Sequence, residues 1–263
     1  DILSECDIFP ISGVHGSVPC KWNSGRTVIR HADNYIEECV REYRKRNIPL
    51  FLTFSNYYIT ENDLSDGFSN YLLGLISCIP NSGVIVASTS LAKYIEEKYP
   101  DLELIMSVLA SVNTYEERNS TYYEQAAKDY SRVVIHPDDS FCLDLLSSII
   151  PKNSFEIMVN ENCIRDCSYR RMHDNLVCRY SMNESDDAFN TLASFSKEHC
   201  RMFMKEKQLL SYLQGDEQCC NFSINHLDQI YEMGFRYYKL QGRADAPASF
   251  LYDLTKYILT ETA

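Results

Sequence analysis

The chain has 263 residues, 45% of them hydrophobic, with 37 acidic against 25 basic side chains and a net charge of −12. This composition supports a full globular core, repels a phosphate backbone and so disfavours nucleic acid as a partner, and offers no apolar run of the roughly 18 to 20 residues that cross a bilayer. The opening "DILSECDIFP" lacks the basic region and long apolar stretch of a signal peptide, so the eleven cysteines are expected in a reducing, cytoplasmic setting as thiols. In chain order, strand-like runs are predicted at Asp7 to Ile11, Leu50 to Phe54, Gly83 to Ala87, Leu102 to Ser107, Arg132 to Ile135, Phe155 to Val159 and Tyr237 to Leu240. Several are apolar throughout, as in parallel strands covered on both faces. Amphipathic helical patterns separate them: "NYIEECVREYRKRN", "LSDGFSNYLLGLI", "LAKYIEEKY" and "LDQIYEMGF". Cys39, Cys78 and Cys142 fall in apolar helical patterns and read as small core residues.

Repeated βα units of this spacing close into a doubly wound sheet or a barrel. At this length the reading is a TIM-barrel-like (β/α)8 fold, irregular and in one domain over residues 1–263. Residues 176–222 are polar and weakly periodic, and read as an insertion with room for an eighth strand.

In parallel α/β folds the C-terminal ends of the strands line the ligand site. Ser55 and Asn56, Asn160 and Glu161, and Gln241 all sit at such ends, with Arg243 just beyond, as candidates to converge on one mouth. The competing reading is that they cap the following helices. The stretch "VNENCIRDCSYRRMHDN", residues 159–175, adds Cys163 and Cys167 with Arg170, Arg171 and His173 close by. Two thiols with three residues between them suit a metal or one side of an iron–sulfur cluster. Cys178, Cys200, Cys219 and Cys220 lie downstream to complete a set. Adjacent cysteines diverge, so one ligand is expected from the Cys219–Cys220 doublet. A thiol nucleophile, Cys163 or Cys167 with His173, and a zinc site on Cys163, Cys167 and His173 remain open. His173 is also a candidate general acid or base.

The stretch "VNENCIRDCSYRRMHDN" and the later "CCNFSINHLDQIYEMGFRYYKLQGR" resemble, in the same order, two signatures of the collagenase-like peptidase superfamily. In the second, a cysteine precedes a helix, a glycine turn and a strand that here reads Lys239, Leu240, Gln241, Gly242, Arg243. The resemblance covers residues 155–245. It implies a TIM-barrel-like fold and, from members engaged in oxygen-independent hydroxylation of ubiquinone precursors and RNA bases, a [4Fe–4S] cluster. The cluster would rest on Cys163, Cys167, Cys220 and Cys200, with Cys219 and Cys178 as alternates. Two departures stand out: the first cysteine pair is spaced more closely than in those members, and Gln241 stands where they carry glutamate.

On this reading Asn160, Glu161, His173 and Arg243 serve catalysis. Ser55, Asn56, Arg170, Lys239 and Gln241 bind a small or carrier-bound substrate, and a paired subunit or electron-donor protein supplies electrons. The alternatives are a peptidase or other hydrolase acting through a cysteine or metal-activated water, and a non-catalytic accessory subunit with a structural metal centre.

Overall fold

The computed structural model describes residues 11–24, 35–111, 118–183, 185–200, 219–242 and 247–259. The chain divides into two compact units, Asp1–Ile105 and Met106–Ala263.

The first unit alternates strands and helices: β1 (Val14–Gly16), α1 (Tyr35–Lys45), β2 (Leu50–Phe54), α2 (Gly67–Ile76), β3 (Gly83–Val86) and α3 (Thr89–Lys98), ending in β4 (Glu103–Met106). The strands lie in sequence order, β1-β2-β3-β4. β1 pairs with β2 and β2 with β3, both parallel. All of β3 is buried, as its unbroken apolar sequence requires. A side chain at Gly83 would drive into the backbone of Glu103, so the close approach there demands glycine. Ser88 caps α3 by accepting from the Leu91 N–H at 3.3 Å, and Asp66 caps α2 by accepting from the Ser69 N–H at 2.8 Å.

The second unit contains α4 (Ser120–Asp129), β5 (Arg132–Val134), α5 (Leu143–Ser148), β6 (Phe155–Met158) and β7 (Asn160–Ile164). There follow α6 (Arg170–Met182), α7 (Asp186–His199), β8 (Cys219–Asn221), α8 (Ile224–Glu232), β9 (Tyr237–Lys239) and α9 (Pro247–Leu254), which runs into a π turn at Thr255–Leu259. Strand order is β5-β6-β9, with both pairs parallel. Val133, Ile135, Phe155, Ile157 and Val159 point to one side of these strands, into a core with Tyr123, Leu146, Ile149, Phe222, Ile230 and Phe235. Period-two alternation then sends Arg132, Glu156, Met158, Lys239 and Gln241 to the other side. That face carries the candidate site.

Several expectations change. The run Asp7 to Ile11 lies outside the described residues apart from Ile11, which is not in a strand; among the described residues the first strand is β1. Past the predicted strand Phe155 to Val159, observed as β6 (Phe155–Met158), the chain enters β7, which pairs antiparallel with β8 in a separate two-stranded sheet. β8, inside the stretch where an eighth strand was expected, therefore does not join the parallel set. Residues 176–199 are largely helical, in α6 and α7, and residues 201–218 lie outside the described ones. Cys78 and Cys142 are exposed and Cys39 is half-buried, so none is a core residue. Cys142 stands at the N-cap of α5 and Cys78 lies beyond the end of α2, where helical periodicity no longer holds, while Cys39 lies within α1 beside the buried Val40. Among the described residues, no helix is long and apolar enough to cross a membrane.

Candidate functional site

Below the strand ends, Glu156 is buried and pairs with two cations. Arg132 Nη1 lies 3.3 Å from Oε2, and Lys239 Nζ lies 3.6 Å from Oε1. Arg132 also lies over the Tyr237 ring, 4.9 Å from its centroid. Lys239, a candidate for holding a substrate anion, is thus engaged with a carboxylate on the neighbouring strand.

One level higher, Asn160 forms a bracket. Its Nδ2 donates to the Gln241 carbonyl and to Asp253 Oδ2, each at 2.7 Å, and its Oδ1 accepts from the Gln241 N–H at 2.6 Å. Both amide hydrogens are taken, and Asn160 and Asp253 are buried. The side chain ties the end of β6 to the end of β9 and to α9. Gly242 completes the junction, because a Cβ there would strike the Phe250 ring of α9. The Gln241 side-chain amide donates to Glu161 Oε2, which fixes that carboxylate at the start of β7.

The cysteine loop comes next. In the β7–β8 ladder Glu161 faces Cys220 and Ile164 faces Cys219, with an irregularity between Glu161 and Ile164 that contains Cys163. The chain then turns through Asp166, whose φ of 50° is the left-handed region, where aspartate is among the tolerated residues. Three contacts hold the turn. Arg165 stacks on the Phe141 ring, 4.6 Å from its centroid; the Asp166 N–H donates to Asp138 Oδ1 at 3.1 Å; and Arg170 Nη2 donates to the Ile164 carbonyl at 2.7 Å. Arg165 is therefore part of the loop's scaffold. Phe141 stacks in turn on His226, at 4.8 Å and 3°.

Arg170 is the hub. Its Nη2 also reaches Asp138 Oδ1 at 3.0 Å and Cys220 Sγ at 3.5 Å. Burial works against its charge, but the fields of Cys163, Asp138, Cys220 and Glu161 outweigh that and hold its pKa well above the usual guanidinium value. The Cys163 thiol donates to Cys167, whose pKa falls to about 6 against the opposing effect of burial; the N–H groups of Tyr169 and Arg170 and the Arg170 charge add to the lowering. Burial pushes Cys220 up to about 12 despite the Arg170 charge beside it. Among the described residues, the buried Arg170 Nε and Asp138 Oδ2 have no hydrogen-bond partner. Such groups are costly to leave unsatisfied.

Not every sequence candidate comes to this corner. Successive strand residues diverge, and Cys220 is the member of the doublet that touches Arg170 and Asp138. Cys178 is buried eight residues into α6, about 12 Å along the helix axis from Arg170 at 1.5 Å per residue. Cys200 closes α7, and that end is brought to the start of α6 by His199, stacked on Tyr169 at 4.5 Å. His173 lies between α6 and α7, with Nε2 3.5 Å from Ser196 Oγ and its ring 6.3 Å from that of Phe195. Arg243 lies outside the described residues.

Ser55 and Asn56 belong to the first unit, where both are buried. Ser24 Oγ donates to the Ser55 carbonyl at 2.9 Å, and Asn56 Nδ2 to the Lys21 carbonyl at 3.2 Å. They fasten the segment 20–24 to the end of β2. Neither caps a helix: Asn56 Oδ1 instead accepts from the Tyr58 N–H in a local turn. Among the described residues no three His, Cys, Asp or Glu side chains already stand in metal-binding array.

The stretch "HPDD", residues 136–139, follows the end of β5 and obeys the same strand-end rule. Asp138 holds Arg170, while Asp139 receives Arg118 at 2.7 and 3.0 Å and the Tyr123 hydroxyl. His136 is buried, and its Nδ1 accepts from the Asp138 N–H at 3.3 Å. The neutral ring therefore carries its proton on Nε2, and its 3.6 Å approach to Asp138 Oδ2 is not an ion pair. Burial first, then the Arg118 and Arg170 charges, lower its pKa from 6.5 to about 2.

A folded pKa below the unfolded one means that the unfolded chain alone takes up this proton between those values. Stability from this group is full above pH 6.5 and falls as pH drops toward 2, with a slope approaching about 1.4 kcal/mol per pH unit. Between pH 7 and pH 5 the loss is about 2 kcal/mol. Urea midpoints at the two values should show it, and His136→Gln should lose this part of the difference; an unchanged difference would count against the buried neutral imidazole.

The class that emerges is an α/β protein of irregular TIM-barrel-like fold, with a thiol- and arginine-lined corner at the strand ends of its second unit. No family model matches the chain, and neither does any curated protein. Among solved structures it is similar to that of the U32 peptidase Mk0906, with a TM-score of 0.58 and 12% identity over 92% of this chain and 90% of that one. At that identity the likeness is one of fold.

Proposed function

We propose that the chain binds a [4Fe–4S] cluster on Cys163, Cys167, Cys220 and Cys200, and serves the redox modification of a small or carrier-bound substrate, with oxygen-independent hydroxylation as the reaction type. One observation carries the reading: Cys220 on β8 lies 3.5 Å from the guanidinium of Arg170, whose charge also acts on Cys163 in β7 and on Cys167 just beyond it. The donor set suits the group. A cluster on four thiolates is anionic, and Arg170 offers it a fixed charge together with an Nε–H that has no hydrogen-bond partner among the described residues. Such a cluster supplies one-electron transfer.

The chain's own residues would do the rest. Asp138 holds Arg170 in place, and Asn160 fixes the backbone of Gln241. Glu161, steadied by Gln241, orients the substrate at the rim, with Arg243 as its anion-binding partner and an electron-donor protein as the source of electrons.

Anaerobic iron and sulfide analysis tests this. Protein reconstituted under argon should hold about four irons and four sulfides with a broad band near 400 nm. Cys220→Ser should lose most of both while keeping its circular dichroism. Colourless wild-type protein carrying one zinc, or full iron in both Cys163→Ala and Cys220→Ser, would overturn the assignment.

A hydrolase is the second reading, favoured by the fold likeness to a peptidase and by the lowered pKa of Cys167. Peptide cleavage that survives iron removal and disappears in Cys167→Ala would support it.

A further inference from the structure

Leu146 of α5 and Ile230 of α8 enter the core of the second unit, and the outer parts of the same two helices border a surface groove of about 520 Å³. It is lined by Leu143 of α5, by Asp228, Gln229 and Glu232 of α8, and by Met233 just past that helix. Leu143 and Met233 are half-buried and form an apolar floor, while Asp228 and Glu232 are exposed. The two carboxylates go against local electrostatics twice. Four residues apart in one helix, they share a face and repel each other. Glu232 is also the last residue of α8, where the helix field favours a cation, and α8 carries no lysine or arginine. Among the described residues neither carboxylate is in an ion pair. The nearby cations are engaged elsewhere. Arg236 gives its Nη1 to the carbonyls of Tyr231 and Phe235 at 2.6 and 2.7 Å and lies over the Tyr231 ring, and Lys152 closes the end of α5 on the carbonyls of Leu146, Ser147 and Ile149.

We propose that this groove is a docking site for a basic amphipathic helix of a partner protein. The occupant follows from the chemistry of the lining. Leu143 and Met233 take an apolar side chain, and the uncompensated Asp228 and Glu232 take lysine or arginine. Four residues of helix rise by about 6 Å, so the two carboxylates stand one turn apart, the spacing of two cations on one face of a docking helix. A second copy of this chain is the wrong partner by charge, since each copy carries a net −12. The site is independent of the cluster reading, because none of its residues belongs to the cysteine corner.

The test uses the full chain and a fluorescein-labelled peptide of about 14 residues, with leucine at helical period and lysine elsewhere. Fluorescence anisotropy should show saturable binding that weakens as salt rises. Asp228→Asn combined with Glu232→Gln should weaken it about tenfold. Glu96→Gln combined with Glu97→Gln makes the same change of charge on exposed residues of α3 and should leave it unchanged. A peptide of the same composition with its leucines scrambled out of period should bind about tenfold more weakly than the amphipathic one. Glu232→Gln by itself should hold or raise the thermal midpoint, by up to about 1 °C, because it removes the repulsion.

Equal weakening by the α3 pair and the α8 pair would mean that the peptide reads net charge alone, and overturns the proposal. So do equal binding of the scrambled peptide, absence of saturable binding, and a lowered midpoint in Glu232→Gln, which would give that carboxylate a structural role. Sedimentation that finds a dimer in the wild type, lost in the Asp228→Asn, Glu232→Gln variant, would put a second copy in the groove and overturn the basic partner.

Discussion

Asp138→Ala should lower the free energy of unfolding by about 3–5 kcal/mol, the range for removing one partner of a buried ion pair. Asp138 Oδ1 receives the Arg170 guanidinium at 3.0 Å and the Asp166 N–H at 3.1 Å, and the two side chains are only 5% and 11% exposed. Solvent screening, which makes surface pairs nearly worthless, does little here. The variant leaves a buried cation facing a neutral thiol, with the cysteine turn untied on one side. Much of the cost is that of the stranded charge, so Asp138→Leu combined with Arg170→Met should recover a large part of it. Urea unfolding followed by circular dichroism measures all of these variants. A single variant within about 1 kcal/mol of wild type would mean that the pair does not hold the loop.

The second large effect belongs to Asn160. Its alanine variant removes a fully buried amide, strands the Gln241 N–H and carbonyl, and takes one hydrogen bond from the Asp253 carboxylate. Each buried group left without a partner costs about 1–3 kcal/mol, so the total is on the order of 4 kcal/mol after some hydration of the gap. The damage is directional: Gln241 and α9 should exchange their amide hydrogens faster, because Asn160 is the bracket that ties them to β6. Asn160→Asp should be no better, since it sets a second carboxylate against Asp253. Loss of substrate turnover with unchanged stability and unchanged exchange at Gln241 would instead make Asn160 a substrate contact, as its position at a strand end first suggested.

The strand-end rule points to the candidate corner, but several polar residues at strand ends are engaged with other parts of the protein. Asn160, Lys239, Ser55 and Asn56 stand at or next to strand ends, yet each is spent on protein: on Gln241 and Asp253, on Glu156, on Ser24 and on Lys21. A polar residue at a strand end must satisfy its hydrogen bonds somewhere, and its own sequence does not say whether a ligand or another loop does so. Asp138 went unnoticed for the same reason. Its importance lies in Arg170, 32 positions away.

The sequence by itself determined the alternation of apolar strands with amphipathic helices, the face of β5, β6 and β9 that is buried, and the concentration of thiols and guanidinium groups after residue 160. These are local properties, written in periods of two and 3.6 and in composition. Only the tertiary structure decided that Cys220 rather than Cys219 meets Arg170, that Asp138 fastens that arginine, and that residues 160–164 leave the parallel strands for a ladder of their own with β8. The reason is physical: each of these contacts joins groups tens of residues apart, and their meeting depends on which strand ends become neighbours, a choice made by packing of the whole unit.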